Sequence, residues 1–392
     1  MNLLKGKILI FLFSLILLKP ESLGRIFMLN QFFNYAKVVV LFVLLIYWLF
    51  NMKNSSAVIM IGMIYVVMLF STIYHGGDIR GVIVDAASII GIVLMGAIYS
   101  ENIELLLDTW YVLFAFYISI NFITVLAFPN GLYRIEGDMN PYFFLGHKNV
   151  CGRTISVMTG FMLYRTYLQQ NRITKTMMFF VLVSYISIIL FWSATSLVAF
   201  TIFIVLVLFF TKKDLPVNIN IYLVMGLSLF LTIIFAILKM QNMFSFLIED
   251  ILQKNLTFTG RTFIWDRALD YIKMSPWFGW GNHNADIFRI RLGGAHTHNT
   301  WLGFLYTGGC ISLLFFIAFL FSYGKKLNRY KSKADNILLF VLIFYSIFFI
   351  TEIMPRNLEG LFYVVILINH NQINYQADQD SGKRGGMLEN GK

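Results

Sequence analysis

The sequence predicts an all-α, polytopic membrane protein with about twelve spanning helices. The 392-residue chain is 58% hydrophobic and 13% charged, against roughly 45–50% apolar and about 25% charged in a soluble domain, so a soluble globule is excluded. At about 20 residues per span, ten to twelve spans need roughly 200 to 240 residues, which matches the apolar share. Forty Phe and 18 Met beside only six Pro, with no ten-residue alternation along the apolar runs, exclude an outer-membrane β-barrel.

The apolar stretches fall at residues 3–18, 30–50, 57–74, 82–99, 103–128, 150–168, 177–192, 196–210, 219–238, 299–323, 337–353 and 358–369. In the first, Lys5 and Lys7 precede an apolar Ile8–Leu18, as in a signal peptide, but no small-x-small cleavage site follows and Lys19-Pro20-Glu21 interrupts, so it reads as a short first span. The organisation is a single polytopic domain over 1–370 with a polar tail, 371–392, expected to be disordered on the cytoplasmic side. Cys151 and Cys310 lie in or beside apolar segments and read as small packing residues, with no disulfide framework.

A net charge of +11 could suggest nucleic acid. Most Lys and Arg instead sit in short connections, where they set orientation in a bilayer, and nucleic acid is rejected as a partner. Three connections are plainly basic: Arg165/Arg172/Lys175, Lys212/Lys213, and the run from Lys325 to Lys333. Each is two spans from the next, which puts all three on the cytoplasmic side, together with both termini. The two longest connections, Pro129–Asn149 and Lys239–Asn299, then share the extracytoplasmic face, and loops of that length are where function is expected.

In the second loop, Ile264, Trp265, Ala268, Leu269 and Ile272 fall on one face of an amphipathic helix. Thr259 or Thr262 could cap it, and Ser275-Pro276 ends it. Arg261 sits in its first turn, where the dipole disfavours a cation unless an anion is present. Backbone N–H groups and a guanidinium fork there would suit a phosphate or pyrophosphate; the bland alternative is an exposed or headgroup-facing arginine. Trp277 and Trp280 in the following glycine turn read as interfacial anchors or as platforms for a sugar ring.

The loop ends with His296-Thr297-His298-Asn299 at the start of an apolar helix. A metal site would need His283 or Asp286 as well, both remote in sequence, and is disfavoured. A histidine at a helix start is kept neutral by the dipole and suits a general base; alternatively His298 or Asn299 only caps the helix. In the first loop, Arg134 and the sequence Gly146-His147-Lys148-Asn149 precede a span with Arg153 just inside, so Arg153 and Arg134 are further anion contacts. Arg80 and Asp85 could pair with each other as structure.

Thr259-Gly260-Arg261-x-x-x-Trp265, Ser275-Pro276-x-x-Gly279-x-Gly281, His298-Asn299-x-x-Leu302 and Gly308-Gly309 together resemble the signature of the O-antigen ligase and polysaccharide polymerase superfamily. Gly146–Asn149 resembles its shorter upstream motif. The resemblance covers residues 145–155 and 259–310. It implies a bacterial glycosyltransferase of the cytoplasmic membrane, using undecaprenyl-diphosphate-linked oligosaccharides as donor and acceptor, with its active site on the extracytoplasmic face. Carried over by position, Arg261 contacts the pyrophosphate and His298 is the base. Arg153 and Arg134 are both open as the second arginine, with Asn149, Trp265, Trp280 and Asn299 as further substrate contacts.

Chemically, a sugar hydroxyl attacking an anomeric carbon needs a base, and the departing diphosphate needs cations. Guanidinium groups can supply that charge without a metal or other cofactor. The reaction expected is polymerisation of repeat units into capsule, exopolysaccharide or O-antigen. The alternatives are ligation of a finished glycan to a terminal acceptor, or transport of the same lipid-linked sugars without chemistry. A flippase and a chain-length regulator of the same pathway are expected partners. The absence of repeated halves and the polar cluster in a long loop argue against a transporter.

Overall fold

The computed structural model describes residues 3–135, 138–210, 220–240, 260–329, 332–351 and 361–389. Each of the twelve apolar stretches lies on a helix: α1 (Leu3–Leu17), α2 (Phe27–Asn51), α3 (Ser55–Tyr74), α4 (Ile79–Ile98), α5 (Ile103–Ala127), α6 (Lys148–Gln170), α7 (Lys175–Leu190), α8 (Ala194–Phe210) and α9 (Ile221–Thr232, extended by a π turn over Ile233–Ile237), then α12 (Thr300–Arg329), α13 (Lys333–Thr351) and α14 (Leu361–Glu389). Two shorter helices, α10 (Arg261–Met274) and α11 (Ala285–Leu292), lie in the long connection. Among the described residues the molecule is all-α apart from one small sheet.

Among the described residues, six segments are long and apolar enough to cross a membrane: Phe27–Phe50, Ser55–Tyr74, Ile79–Ile98, Ser100–Ala127, Thr300–Leu327 and Lys333–Ile350. The expected count of about twelve is therefore larger than the number that qualify by length and composition. The shorter apolar helices, such as Lys175–Leu190 and Ala194–Phe209, would rise about 24 Å against a hydrocarbon core of about 30 Å. Helix α6 is long enough but carries Arg153, Thr154, Ser156, Thr159 and Arg165, all buried inside the bundle. Large side chains such as Phe42, Phe50, Phe70 and Leu126 project from the outside of the bundle, as lipid-facing helices require.

An ion pair and a buried hydrogen bond fasten helices at the end opposite the long connection. Arg165 on α6 donates to Asp108 on α5 at 2.8 Å, and Asp335 on α13 meets His370 on α14 at 2.8 Å with both side chains buried. The polar tail expected from residue 371 continues α14 as far as Glu389. Ile373 there is buried, and the Gln376 amide donates to the Glu101 carbonyl at 2.8 Å. Lys212, Lys213 and Thr259 lie outside the described residues.

The first long connection contains an antiparallel sheet, β1 (Tyr133–Ile135), β2 (Asp138–Phe143) and β3 (Gly146–His147), with Tyr142 opposite both Tyr133 and His147. Three short strands carry too few alternating residues to stand out in the sequence. The Ser22 N–H donates to the Phe144 carbonyl at 3.2 Å, and Arg25 lies over the rings of Tyr133 and Tyr142 at 5.6 and 5.5 Å. The sheet is thereby tied to the turn between α1 and α2.

Candidate functional site

Helix α10 begins with Arg261, and its N-cap is Gly260 at φ +83° without a side-chain capping bond. A threonine cap is therefore replaced by a left-handed glycine, and Thr262 sits inside the first turn. The apolar face is the expected one. Trp265 is fully buried against Ala236, Leu302 and Ile350, which fixes α10 on α12 and α13. Ile264 and Ala268 pack with Phe288, Leu292 and Tyr306, joining α10 to α11 and α12. Trp265 is thus a packing anchor for the helix that carries Arg261. Lys239 and Asp266 pair beside it at 2.9 Å.

The segment from Gly293 to Asn299 folds over the start of α10, with Gly294 close to Ile264. The rings of His296 and His298 lie 3.8 Å apart between centroids. His298 is half-buried and takes a left-handed backbone, φ +48°. Its N–H donates to His296 Nδ1 at 3.1 Å, so the imidazole of His296 holds the turn that presents His298. Asn299 has a different job. Fully buried, it accepts from the Leu302 N–H at 3.0 Å and donates to Thr232 Oγ1 at 3.2 Å and the Ile350 carbonyl at 3.4 Å. Asn299 caps α12 and ties it to α9 and α13, which leaves the imidazole of His298 outside the capping role.

The turn after α10 explains the glycines. Helix α12 is broken at Gly309, φ +62° and ψ −167°, and the turn docks into the break. Trp280 N–H donates to the Tyr306 carbonyl at 2.6 Å, Gly281 N–H to Thr307 at 3.1 Å, and Cys310 N–H to Pro276 at 2.8 Å. A Cβ on Gly309 would overlap the Trp277 backbone, and one on Gly279 would overlap the backbone from Tyr306 to Gly309. Main chain thus packs directly on main chain, which only glycine permits. The other side of the turn rests on the α3–α4 connection, where Ser71 Oγ donates to the Gly279 carbonyl at 2.9 Å and Asp78 N–H to the Asn282 carbonyl at 2.8 Å.

Trp280 is half-buried. Its indole donates to the Tyr271 carbonyl at 2.7 Å, the Arg291 guanidinium lies over it at 5.1 Å, and the ring of His75 is 4.5 Å away. Arg291 also reaches His283 Nε2 at 2.8 Å. Burial first, and the neighbouring Arg291 charge second, hold His283 below its ordinary value of 6.5, in the neutral form. Sequence reading missed Arg291, Tyr271 and His75; the only local signal was Arg289 and Arg291 in the last turn of α11, where the dipole favours cations. Trp277 is 63% exposed and adjoins Phe278, which meets Phe70 at 5.3 Å, an aromatic patch of the kind found at a membrane interface.

The remaining candidates stand on other elements. Arg153 is buried on α6, a helix packed against α5, α7, α8, α13 and α14. Asn149, in the first turn of α6, accepts from Ser193 Oγ at 3.1 Å. Arg134 is exposed on β1. Arg80 bonds Gln31 and not Asp85, because α2 packs along α4 and brings that amide alongside. Among the described residues, no three His, Cys, Asp or Glu side chains converge as metal ligands would.

Residues 177–317 match the family model described as O-antigen ligase. Over those residues the chain is similar to the O-antigen ligase and polymerase superfamily. The family segment runs from α7 into the middle of α12. It contains Arg261, Trp265, Trp280, His298 and Asn299, together with the glycine turn and the broken helix that receives it. Arg153, Asn149 and Arg134 precede it. No curated protein shows a significant match to the chain. The apolar helices point to a multi-pass membrane protein, and the family that this segment resembles is one of glycosyltransferase-like enzymes.

Proposed function

We propose that the chain is a polymerase of undecaprenyl-diphosphate-linked oligosaccharide repeat units, working at the extracytoplasmic face of a bacterial cytoplasmic membrane through about twelve spanning helices. The observation that carries this reading is the convergence of α10, which begins with Arg261, and the left-handed turn that presents His298, on shared packing with α12 and α13. In this reading His298 takes the proton of an acceptor sugar hydroxyl as its oxygen bonds to the anomeric carbon. The bond from that carbon to the diphosphate oxygen breaks, and Arg261 stabilises the departing charge with one of Arg153 and Arg134. A single displacement of this kind inverts the anomeric configuration. Trp280 and Asn149 border the glycan, Trp265 and Asn299 hold the two reacting elements in register, and no metal is required.

The ligase reading has its own support, since the matched family is described as O-antigen ligase. Purified protein given lipid-linked repeat alone separates the possibilities. A ladder of products is expected. Reaction only after a terminal acceptor is added identifies a ligase, and transbilayer movement without new bonds identifies a transporter. His298→Ala and Arg261→Lys are each expected to abolish the ladder at unchanged membrane abundance, since Lys lacks the bidentate fork. A normal ladder from either variant removes that residue from the mechanism.

A further inference from the structure

Apart from these residues, the bundle contains a partly open cavity of about 430 Å³, within the ~300–1,000 Å³ range of small-molecule sites. It lies between the α1–α2 turn and helices α4, α5, α6 and α14. One wall is largely apolar, with Val150 and Met158 of α6 on either side of Thr154 and Phe362 of α14 beside them; the other carries Lys19, Glu21, Asn30 and Asp85. Its charges are mixed. Lys19 donates to Asn30 Oδ1 at 2.6 Å, Arg25 pairs with Glu21 at 2.6 Å, and Asp85 adds a second carboxylate, with the buried Lys37 close to both Lys19 and Asp85. A diphosphate here meets carboxylate repulsion as well as cation attraction. A hydroxyl-rich ring suits the lining better: carboxylate, amide and hydroxyl oxygens serve its hydroxyls, and the aliphatic wall serves its C–H face.

The cavity lies on the helix that starts beneath the glycine turn. Helix α4 begins at the connection on which that turn rests, and Asp85 is seven residues beyond Asp78, about 10 Å further along the same helix. On α6, Thr154 directly follows Arg153.

We propose that this cavity is a saccharide subsite that holds an uncharged sugar ring of the lipid-linked glycan; the assignment of the sugar to that glycan rests on the function proposed above. The test uses the full chain in detergent and saturation-transfer NMR with methyl glucoside, methyl galactoside and methyl N-acetylglucosaminide as probes, and methyl glucuronide as the charged counterpart. The neutral glycosides are expected to give signals. Asp85→Asn, which preserves shape, should weaken them about tenfold, as loss of a charged hydrogen-bond acceptor does, and Thr154→Trp, which fills the cavity, should remove them. In the transfer assay Thr154→Trp should lower the rate about tenfold or more while binding of undecaprenyl diphosphate is unchanged. No neutral-sugar signal from the wild type, equal signals from both variants, a preference for the glucuronide, or full transfer by Thr154→Trp overturns the proposal. A wild type that binds the glycosides yet transfers no glycan leaves the sugar site standing and overturns the function instead.

Discussion

His283 shows how a single buried side chain couples this fold to pH. It is 3% exposed, touches Arg291 and is held neutral. Its folded-state value lies below 6.5, so the unfolded chain binds the proton more readily. Stability is therefore complete above about pH 6.5 and falls as pH drops through the lowered folded value. Thermal unfolding in detergent should show a melting temperature that declines below that pH, and His283→Gln should flatten the decline; an unchanged slope would remove His283 as its cause. The proposed site residues also show what sequence alone could place. The positions of Arg261 at the first turn of α10 and of His298 just before α12 were legible because helix starts are local properties. That Asn299 and Trp265 brace the elements depends on contacts with Thr232, Ile350 and Leu302 far along the chain, and that His296 pins the turn of His298 depends on a left-handed backbone at His298.

At the scale of elements, the glycine turn and the broken α12 form one unit, joined by backbone hydrogen bonds on both sides of Gly309. Gly309→Ala should destabilise the protein by about 1–3 kcal/mol or more, because the residue must hold a strained backbone angle while its Cβ overlaps Trp277. Gly62, in α3 with open space around it, is the control: Gly62→Ala should leave stability unchanged or raise it slightly, by about 0.5–1 kcal/mol. Melting curves and product ladders of the two variants measured together check this, and a Gly309→Ala protein as stable and active as Gly62→Ala would dismiss the docking as unimportant. The Gly308-Gly309 pair was visible in the sequence, but an apolar window around it reads as unbroken helix, since helical periodicity does not register one residue whose backbone departs from it. The small sheet escaped for a related reason: its strands are held by pairing and by Arg25, without an alternating pattern of their own.

For the whole molecule, orientation is the open expectation that most directly governs function. Basic connections lie at the α6–α7 and α12–α13 ends, and the exposed Trp277 lies in the α10–α11 turn that docks on the α3–α4 connection. With Cys151 and Cys310 replaced by Ser, a Trp277→Cys protein should react with a membrane-impermeant maleimide in intact cells, whereas Lys325→Cys should react only after permeabilisation. The reverse pattern would put the His298 segment in the cytosol and overturn the proposed reaction. The sequence by itself determined the helical class, the approximate position of the long apolar helices, and the amphipathic α10, because burial in lipid or in a bundle imposes periodicities and lengths that can be read locally. Only the tertiary structure decided which helices are sheltered by their neighbours, as polar α6 is, that α14 continues into the polar tail, which glycines serve close backbone contact, and that a cavity of mixed charge opens between α4 and α6. Those outcomes depend on which distant segments meet, and no local pattern encodes that.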